Sequence, residues 1–315
     1  MTMTGRSGVR AAVAGAGRWR APVTERARSE RRLAAVLCAP AVLVILAVTG
    51  YPIGDAIYLS LERSDLRFPD QQRFVGLVNY GAVLGSGYWW QAVTVTVIIT
   101  VVSVVIEFVI GLALALVMYR TVVGRGLVRA VVLIPYGMVT VAASYGWQVA
   151  WTPGKGYLAA LLPEGVAPLT DQVGAIVLII LAEVWKTTPF MALLLLAGLA
   201  LIPEDLLRAA KMDGAGPWQR LTRVMLPMIK PAILVALLFR ALDAFRIFDS
   251  IYILTRGSNG TGSVSMFGYD NFTGLNLGIG SAISVLIFII VGIFALMFVT
   301  PFGVAAPGVR IQEGE

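Results

Sequence analysis

The chain has 315 residues, 58% of them apolar and 14% charged, with a mean hydropathy of +0.82 and a formal net charge of +7. That balance excludes a soluble globular domain and marks an integral membrane protein, in which the basic residues serve topology and not nucleic acid binding. The absence of histidine removes His-based zinc sites and His acid–base catalysis, the single Cys38 rules out an intramolecular disulfide, and no G-x-x-x-x-G-K-[ST] phosphate loop occurs.

Residues 1–32 carry eight arginines against Glu25 and Glu30 and contain no hydrophobic run. They are expected to form a disordered basic arm whose last part leads into the membrane. A transit peptide shares the Arg-rich, acid-poor signature, whereas a signal peptide fits less well because the first apolar run is long and lacks a small-residue cleavage site. Six apolar runs follow near 33–60, 89–119, 128–150, 173–201, 232–254 and 279–303, each long enough to cross about 30 Å of hydrocarbon. The expected fold is an all-α membrane protein: one six-helix domain over 33–303, a cytoplasmic loop at 203–231 and a short tail at 304–315. Lys and Arg number eight in the arm, three in 120–129, five in 203–231 and one in the tail, against three in 62–88 plus Lys155 and Arg256. The positive-inside rule then puts both termini and the loop at 203–231 in the cytoplasm.

The outer segments are short. Residues 62–88 carry Phe68, Phe74 and Tyr80, with Trp89 and Trp90 as an interfacial anchor. Segments 151–172 and 255–278 are rich in loop-forming residues, and serve either as plain connectors or as a docking face for an external partner.

Ionisable groups inside spans face a bundle interior or a watery cavity. Asp55 and Glu107 stand isolated and suggest structural roles. In the fourth run Glu183 and Lys186 share a helix face and can pair, and Pro189 predicts a kink, either structural or beside a pathway. In the fifth run Arg240, Asp243, Arg246 and Asp249 recur every three residues, with Phe245, Phe248 and Tyr252 among them. One reading is a self-neutralising ion-pair ladder. The other is a hydrophilic wall for a hydroxyl-rich solute, with rings against the C–H face of a sugar and Asp, Arg and Tyr bonded to its hydroxyls.

The loop from Pro203 to Pro231 reads as two short helices joined by a turn. Pro203 fits the first helical position, Glu204 and Asp205 complement the helix dipole, and Leu206, Leu207 and Ala210 share a face. Asp213-Gly214 ends that helix, Pro217 starts the next, Trp218, Leu221 and Met225 form its apolar stripe, and Pro227 and Pro231 close it. Small residues (Ala209, Ala210, Gly214, Ala215, Gly216) let another protein's surface come close to the backbone.

This loop resembles the EAA loop of binding-protein-dependent ABC importer permeases. Ala209-Ala210, Asp213-Gly214-Ala215 and Leu226-Pro227 match that pattern, while Arg208 stands where the family usually has Glu. Trp185 to Phe190 followed by Ala197-Gly198-Leu199, and Phe245 to Thr255, look like the fourth- and fifth-span regions of the carbohydrate-uptake, maltose-type permeases. The resemblance covers most of 33–303 and lacks the large external insertion of the maltose permease. It implies a type I ABC importer permease fold in the cell membrane, without catalysis or cofactor on this chain. It also implies a second homologous permease, two ATPase subunits holding ATP and Mg, and an extracytoplasmic substrate-binding lipoprotein as partners. Under the same resemblance Glu204, Arg208, Ala209, Ala210, Asp213, Gly214 and Ala215 couple to the ATPase. Lys186, Thr187, Phe190, Asp243, Arg246, Phe248, Asp249 and Tyr252 are then expected along the substrate pathway. The solute implied is a carbohydrate, and similarity to the trehalose-importing members, not any spacing, points to trehalose. The competing class is an ion-coupled carrier using Asp243 or Asp249, but no paired repeats with broken helices are visible. A membrane enzyme using those two carboxylates is disfavoured by Arg246 between them, and a pure scaffold leaves the charged ladder without a purpose.

Overall fold

The computed structural model describes residues 25–121, 124–163 and 165–299. The expected disorder of the arm before residue 25 and the tail at 304–315 lie outside these residues. The chain divides into two units, Met1–Asp55 and Ala56–Glu315. In the first, α1 (Glu25–Ile45) starts inside the basic arm and continues through a π turn (Leu46–Gly50) into α2 (Tyr51–Ser60). The stretch Leu33–Ser60 is 28 residues long and apolar enough to cross a membrane.

The second unit begins within α2 and continues with a short antiparallel pairing of β1 (Glu62–Arg63) and β2 (Arg73–Phe74), Glu62 opposite Phe74, so the fold is not purely helical. Helix α3 (Val78–Leu84) follows. Its Asn79 Nδ2 donates to the carbonyls of Ser60 and Glu62, both at 2.8 Å, which ties α3 to the end of α2. Of the two tryptophans expected as an interfacial anchor, Trp90 is exposed and donates to the Leu84 carbonyl at 2.9 Å. Trp89 is buried in an apolar cluster with Val83, Val264 and Ile283 instead.

Helices α4 (Gly87–Arg120), α5 (Arg125–Gly137), α6 (Thr140–Trp151) and α7 (Gln172–Ala200) come next. The loop holds α8 (Glu204–Met212) and α9 (Pro217–Arg220), which runs through a π turn into α10 (Leu226–Met228). Helices α11 (Lys230–Phe245), α12 (Asp249–Leu254), α13 (Val264–Thr273) and α14 (Leu277–Val299) complete the described chain. Among the described residues four helical stretches are long and apolar enough to span a membrane alone, and the number reaches six if each of two bent pairs counts as one span.

One of the bent pairs corrects the expectation of six continuous runs, and the other falls in the loop ahead of the fifth. The third run is α5 and α6, bent by 83° at Met138-Val139, whose backbones are extended (ψ 140° and 132°). Hydropathy is continuous across this bend, but Pro135 in the last turn of α5 removes a helix donor and crowds the preceding turn. The second bend, of 71°, lies at Ile229 where α10 meets α11. Pro189 does not break its helix. Helix α7 runs through it as a single span, and Pro189 is buried between Thr188, whose hydroxyl bonds back to the Val184 carbonyl, and Met191. The helix therefore continues through the residue despite the lost hydrogen bond.

The core is the long contact of α4 against α7. Ala92, Thr96, Ser103, Glu107, Gly111 and Ala115 form one buried, mostly small-residue stripe on α4. Small residues let helix backbones approach in a membrane, where packing and not water exclusion drives association. At Gly111 a Cβ would lie 2.8 Å from Met191 Cγ and 3.3 Å from the Ala192 nitrogen. Segment 255–278, expected as a connector or docking loop, contains α13. Ser263 caps this helix, accepting from the Met266 N–H at 3.2 Å.

Candidate functional site

Arg240, on α11, is 1% exposed and gathers three carboxylates. Its Nε donates to Glu107 Oε2 at 2.5 Å and its Nη2 to Glu107 Oε1 at 2.9 Å, a fork on a carboxylate of α4. Nη2 also donates to Glu183 Oε2 of α7 at 3.1 Å, and Nη1 to Asp243 Oδ2 at 2.7 Å. Glu183 accepts a further bond from Ser250 Oγ of α12 at 2.5 Å. One guanidinium thus ties α4, α7 and α11 together. Glu107 is not isolated, and Glu183 pairs with Arg240 and not with Lys186. The two readings of the charged series therefore divide along it. Arg240 belongs to a structural ion cluster, while Arg246 and Asp249 make no ion pair among the described residues.

Beyond Asp243 the helix breaks. Arg246 and Phe248 leave helical geometry, and α12 restarts at Asp249. A cavity of about 170 Å³ opens at the break, and Lys186, Thr187, Asp243, Arg246, Phe248 and Asp249 of the expected pathway residues line it. Thr140, Glu183 and Ser250 complete its polar wall. Irregular backbone in a membrane protein persists where it borders such a cavity, because lipid cannot satisfy freed polar groups. Here Ser263 Oγ donates to the Ile247 carbonyl at 2.8 Å, and the Val264 N–H donates to Thr96 Oγ1 at 3.1 Å. The cap of α13 therefore also serves the broken helix.

Phe190 and Tyr252 do not line this cavity. Phe190 stacks on Tyr136 with centroids 5.4 Å apart, and the Lys186 ammonium lies 5.8 Å from the same Tyr136 ring. Tyr252 stacks on Phe248 at 5.3 Å, and Tyr269 of α13 joins both rings at 5.5 and 4.9 Å. The cavity is thus flanked by two aromatic groups. Tyr136, Thr140, Ser250 and Tyr269 escaped sequence reasoning. Only Ser263, three residues ahead of Met266 and opening a helix, left a local capping signal that could have exposed α13. Outside the spans, a hydrogen bond to Tyr252 holds the Tyr269 hydroxyl above its usual pKa, and burial raises the Asp270 carboxyl. Among the described residues no cluster of acidic and sulfur side chains is arranged to hold a metal ion.

The second candidate region is the loop. Pro203 is the residue before α8 and not its first helical residue, with Glu204 and Asp205 in the first turn. The helix ends at Asp213, and Gly214 takes a left-handed φ of 81° while the Ala215 N–H returns to the Ala210 carbonyl at 2.9 Å. Arg208 finds its charge partners within the same helix, at 2.7 Å from Glu204 and 3.8 Å from Asp205. Ala209 and Ala210 sit beside it on α8. The expected apolar stripes are split: Leu207, Ala210 and Leu221 are half-buried and Met225 buried, but Leu206 and Trp218 are exposed, as is Met212 outside the stripes.

The family of binding-protein-dependent transport system inner membrane components matches residues 81–302. The chain belongs to this family. Its sequence is 66% identical over 281 residues to the trehalose transport system permease protein SugA of Mycobacterium tuberculosis, covering 89% of this chain and 92% of that protein. It is 40% identical over 275 residues to the trehalose/maltose transport system permease protein MalF of Thermococcus litoralis, covering 85% and 93%. A chain of the bacterial alginate ABC transporter, crystallised with a periplasmic protein bound to alginate pentasaccharide, superposes with a TM-score of 0.73 at 21% identity, over 88% of this chain and 96% of that one. The fold is that of a type I ABC permease, and this permease is a membrane-embedded transport component.

Proposed function

We propose that this permease forms half of the transmembrane pathway of an ATP-driven importer for trehalose. The observation that carries the reading is the 66% identity, over 89% of the chain, to a permease of trehalose transport. The site supports a sugar on chemical grounds. Charged and hydroxyl groups at the helix break offer hydrogen bonds to hydroxyls, and stacked rings on both flanks suit the C–H faces of pyranoses. The cavity of about 170 Å³ is smaller than the roughly 300–1,000 Å³ of a typical ligand site, which fits one wall of a passage completed by a second permease.

In this reading residues 203–231 lie in the cytoplasm with both termini, and α8 with its end at Gly214 docks on an ATPase subunit through the exposed Leu206, Met212 and Trp218. Two such ATPases bind the ATP and Mg, and an extracytoplasmic binding protein delivers the sugar. ATP-driven closure moves the loops, and the Arg240 node makes α4, α7 and α11 respond as one body. The switch draws only on binding energy that differs between the inward- and outward-facing states. The test is a mild-detergent pull-down of the tagged chain, with ATPase activity measured with and without trehalose-loaded binding protein. A co-purifying permease and ATPase, stimulated by the loaded protein, are expected. A chain that purifies alone overturns the importer assignment, and stimulation by a different sugar but not by trehalose overturns the substrate.

A further inference from the structure

A second cavity, of about 480 Å³, lies at the loop end of the bundle, between the ends of α4 and α7, α5, and the loop helices. Its charge is one-sided. Arg120, Arg129, Lys211 and Arg220 line it, and none of them has a carboxylate within ion-pair distance among the described residues. The acidic group on its wall, Glu204, is already engaged by Arg208. The Nε of Arg220 is buried and has no hydrogen-bond partner in the described structure. A buried guanidinium N–H favours an acceptor, and an anion in the cavity can supply one.

The other half of the wall is apolar and includes Met118, Leu196 and Leu207. The cavity also sits at the level where two spans stop, since Arg120 is the last residue of α4 and Ala200 the last of α7. Nearby Leu127 and Leu201 are exposed, as residues at a lipid boundary are. A free anion gains nothing from an apolar wall, and a zwitterionic headgroup brings a cation that four basic residues repel. A molecule with an anionic phosphate and an adjoining hydrocarbon body satisfies both halves, and basic pockets between membrane helices take such headgroups. We infer that this cavity is a binding site for the phosphate of an anionic phospholipid, which joins the loop helices α8 and α9 to the ends of α4, α5 and α7. The site is separate from the solute passage and does not depend on the identity of the solute.

The test is native mass spectrometry of the full chain in mild detergent, titrated in turn with phosphatidylglycerol, phosphatidylcholine and water-soluble glycerol phosphate. Phosphatidylglycerol is expected to be retained well above the other two. Each basic residue is worth about fivefold near an anionic surface, so Arg129→Gln with Arg220→Gln should lower its retention about 25-fold. Arg129→Gln alone, at an exposed position, should lower it about fivefold and serves if the double variant does not fold. Arg73→Gln, on β2, should leave it unchanged. Equal retention of phosphatidylcholine, or undiminished retention by the Arg129 variants, overturns the site. Glycerol phosphate bound as tightly as the lipid overturns the lipid assignment in favour of a free phosphate compound.

Discussion

Replacing Arg240 by methionine removes the one cation that three carboxylates share. Asp243 matters least to the outcome, because its side chain is 75% exposed and water can take over the role of the guanidinium. Glu107 is fully buried and loses both of its guanidinium bonds, while Glu183 keeps the hydroxyl of Ser250. Breaking a buried pair from one side typically costs about 3–5 kcal/mol, and Glu107 places this variant within that range. Removing both ends of the pair is cheaper, because the fully buried Glu107 charge goes with the cation and Glu183, the remaining buried carboxylate, keeps the Ser250 hydroxyl. Arg240→Met combined with Glu107→Gln should therefore recover at least half of the loss. The assay is SDS-driven unfolding in mixed micelles, followed through the protein's seven tryptophans. A single variant that unfolds within about 1 kcal/mol of the parent, or a double variant no better than the single, would refute the role assigned to the cluster.

Gly214→Val should cost about 1–2 kcal/mol locally, because a β-branched residue resists φ of 81°. Its main consequence is expected in function, with solute-stimulated ATPase activity lost while the membrane subunits still co-purify; normal uptake would count against docking through this turn. Gly111→Val should destabilise by about 1–3 kcal/mol through overlap with Met191 and Ala192, read in the same unfolding assay, and an unchanged midpoint would mean that α4 and α7 are not in tight contact there. Ser263→Ala removes the α13 cap and a bond to the Ile247 carbonyl at the broken helix, and should cost about 1–2 kcal/mol with increased amide exchange around residues 247–251. Tyr252→Ala and Asp249→Asn should each impair sugar uptake with the ATPase still bound; dissociation of the ATPase would assign these residues a structural role instead.

Much of the framework was legible because a membrane imposes local rules. A helix in lipid satisfies its own backbone, so 20-odd apolar residues announce a span wherever they occur, and the stretches at 33–60, 87–120, 172–200 and 277–298 follow from composition alone. The loop was legible for a similar reason. Its punctuation, from Pro203 through Asp213-Gly214 to Pro217, acts within a turn or two of helix; Pro203 differed by one residue, while Pro227 lies inside α10 and Pro231 in the first turn of α11 instead of closing the second helix. Six of the eight residues expected along the pathway line one cavity, four of them from the fifth run and two from the fourth.

What failed were the inferences that depended on a distant neighbour. A hydropathy window averages over Pro135 and Met138, so the bend of 83° between α5 and α6 was invisible, whereas α7 runs unbroken through Pro189. Trp89 looked interfacial until the structure placed it in the core beside Val83 and Ile283. Glu107 looked isolated because its partner lies 133 residues further along the chain. Spacing within one helix says which residues share a face, but the charge or hydroxyl opposite that face comes from another helix. The sequence by itself determined the spans and the punctuation of the loop, which are settled by solvation and local backbone geometry. Tertiary structure alone decided that Arg240 serves as a structural tie, that Arg246 and Asp249 face an open cavity, and that Tyr136 and Tyr269 complete its aromatic flanks, because each of these depends on which helices are brought side by side.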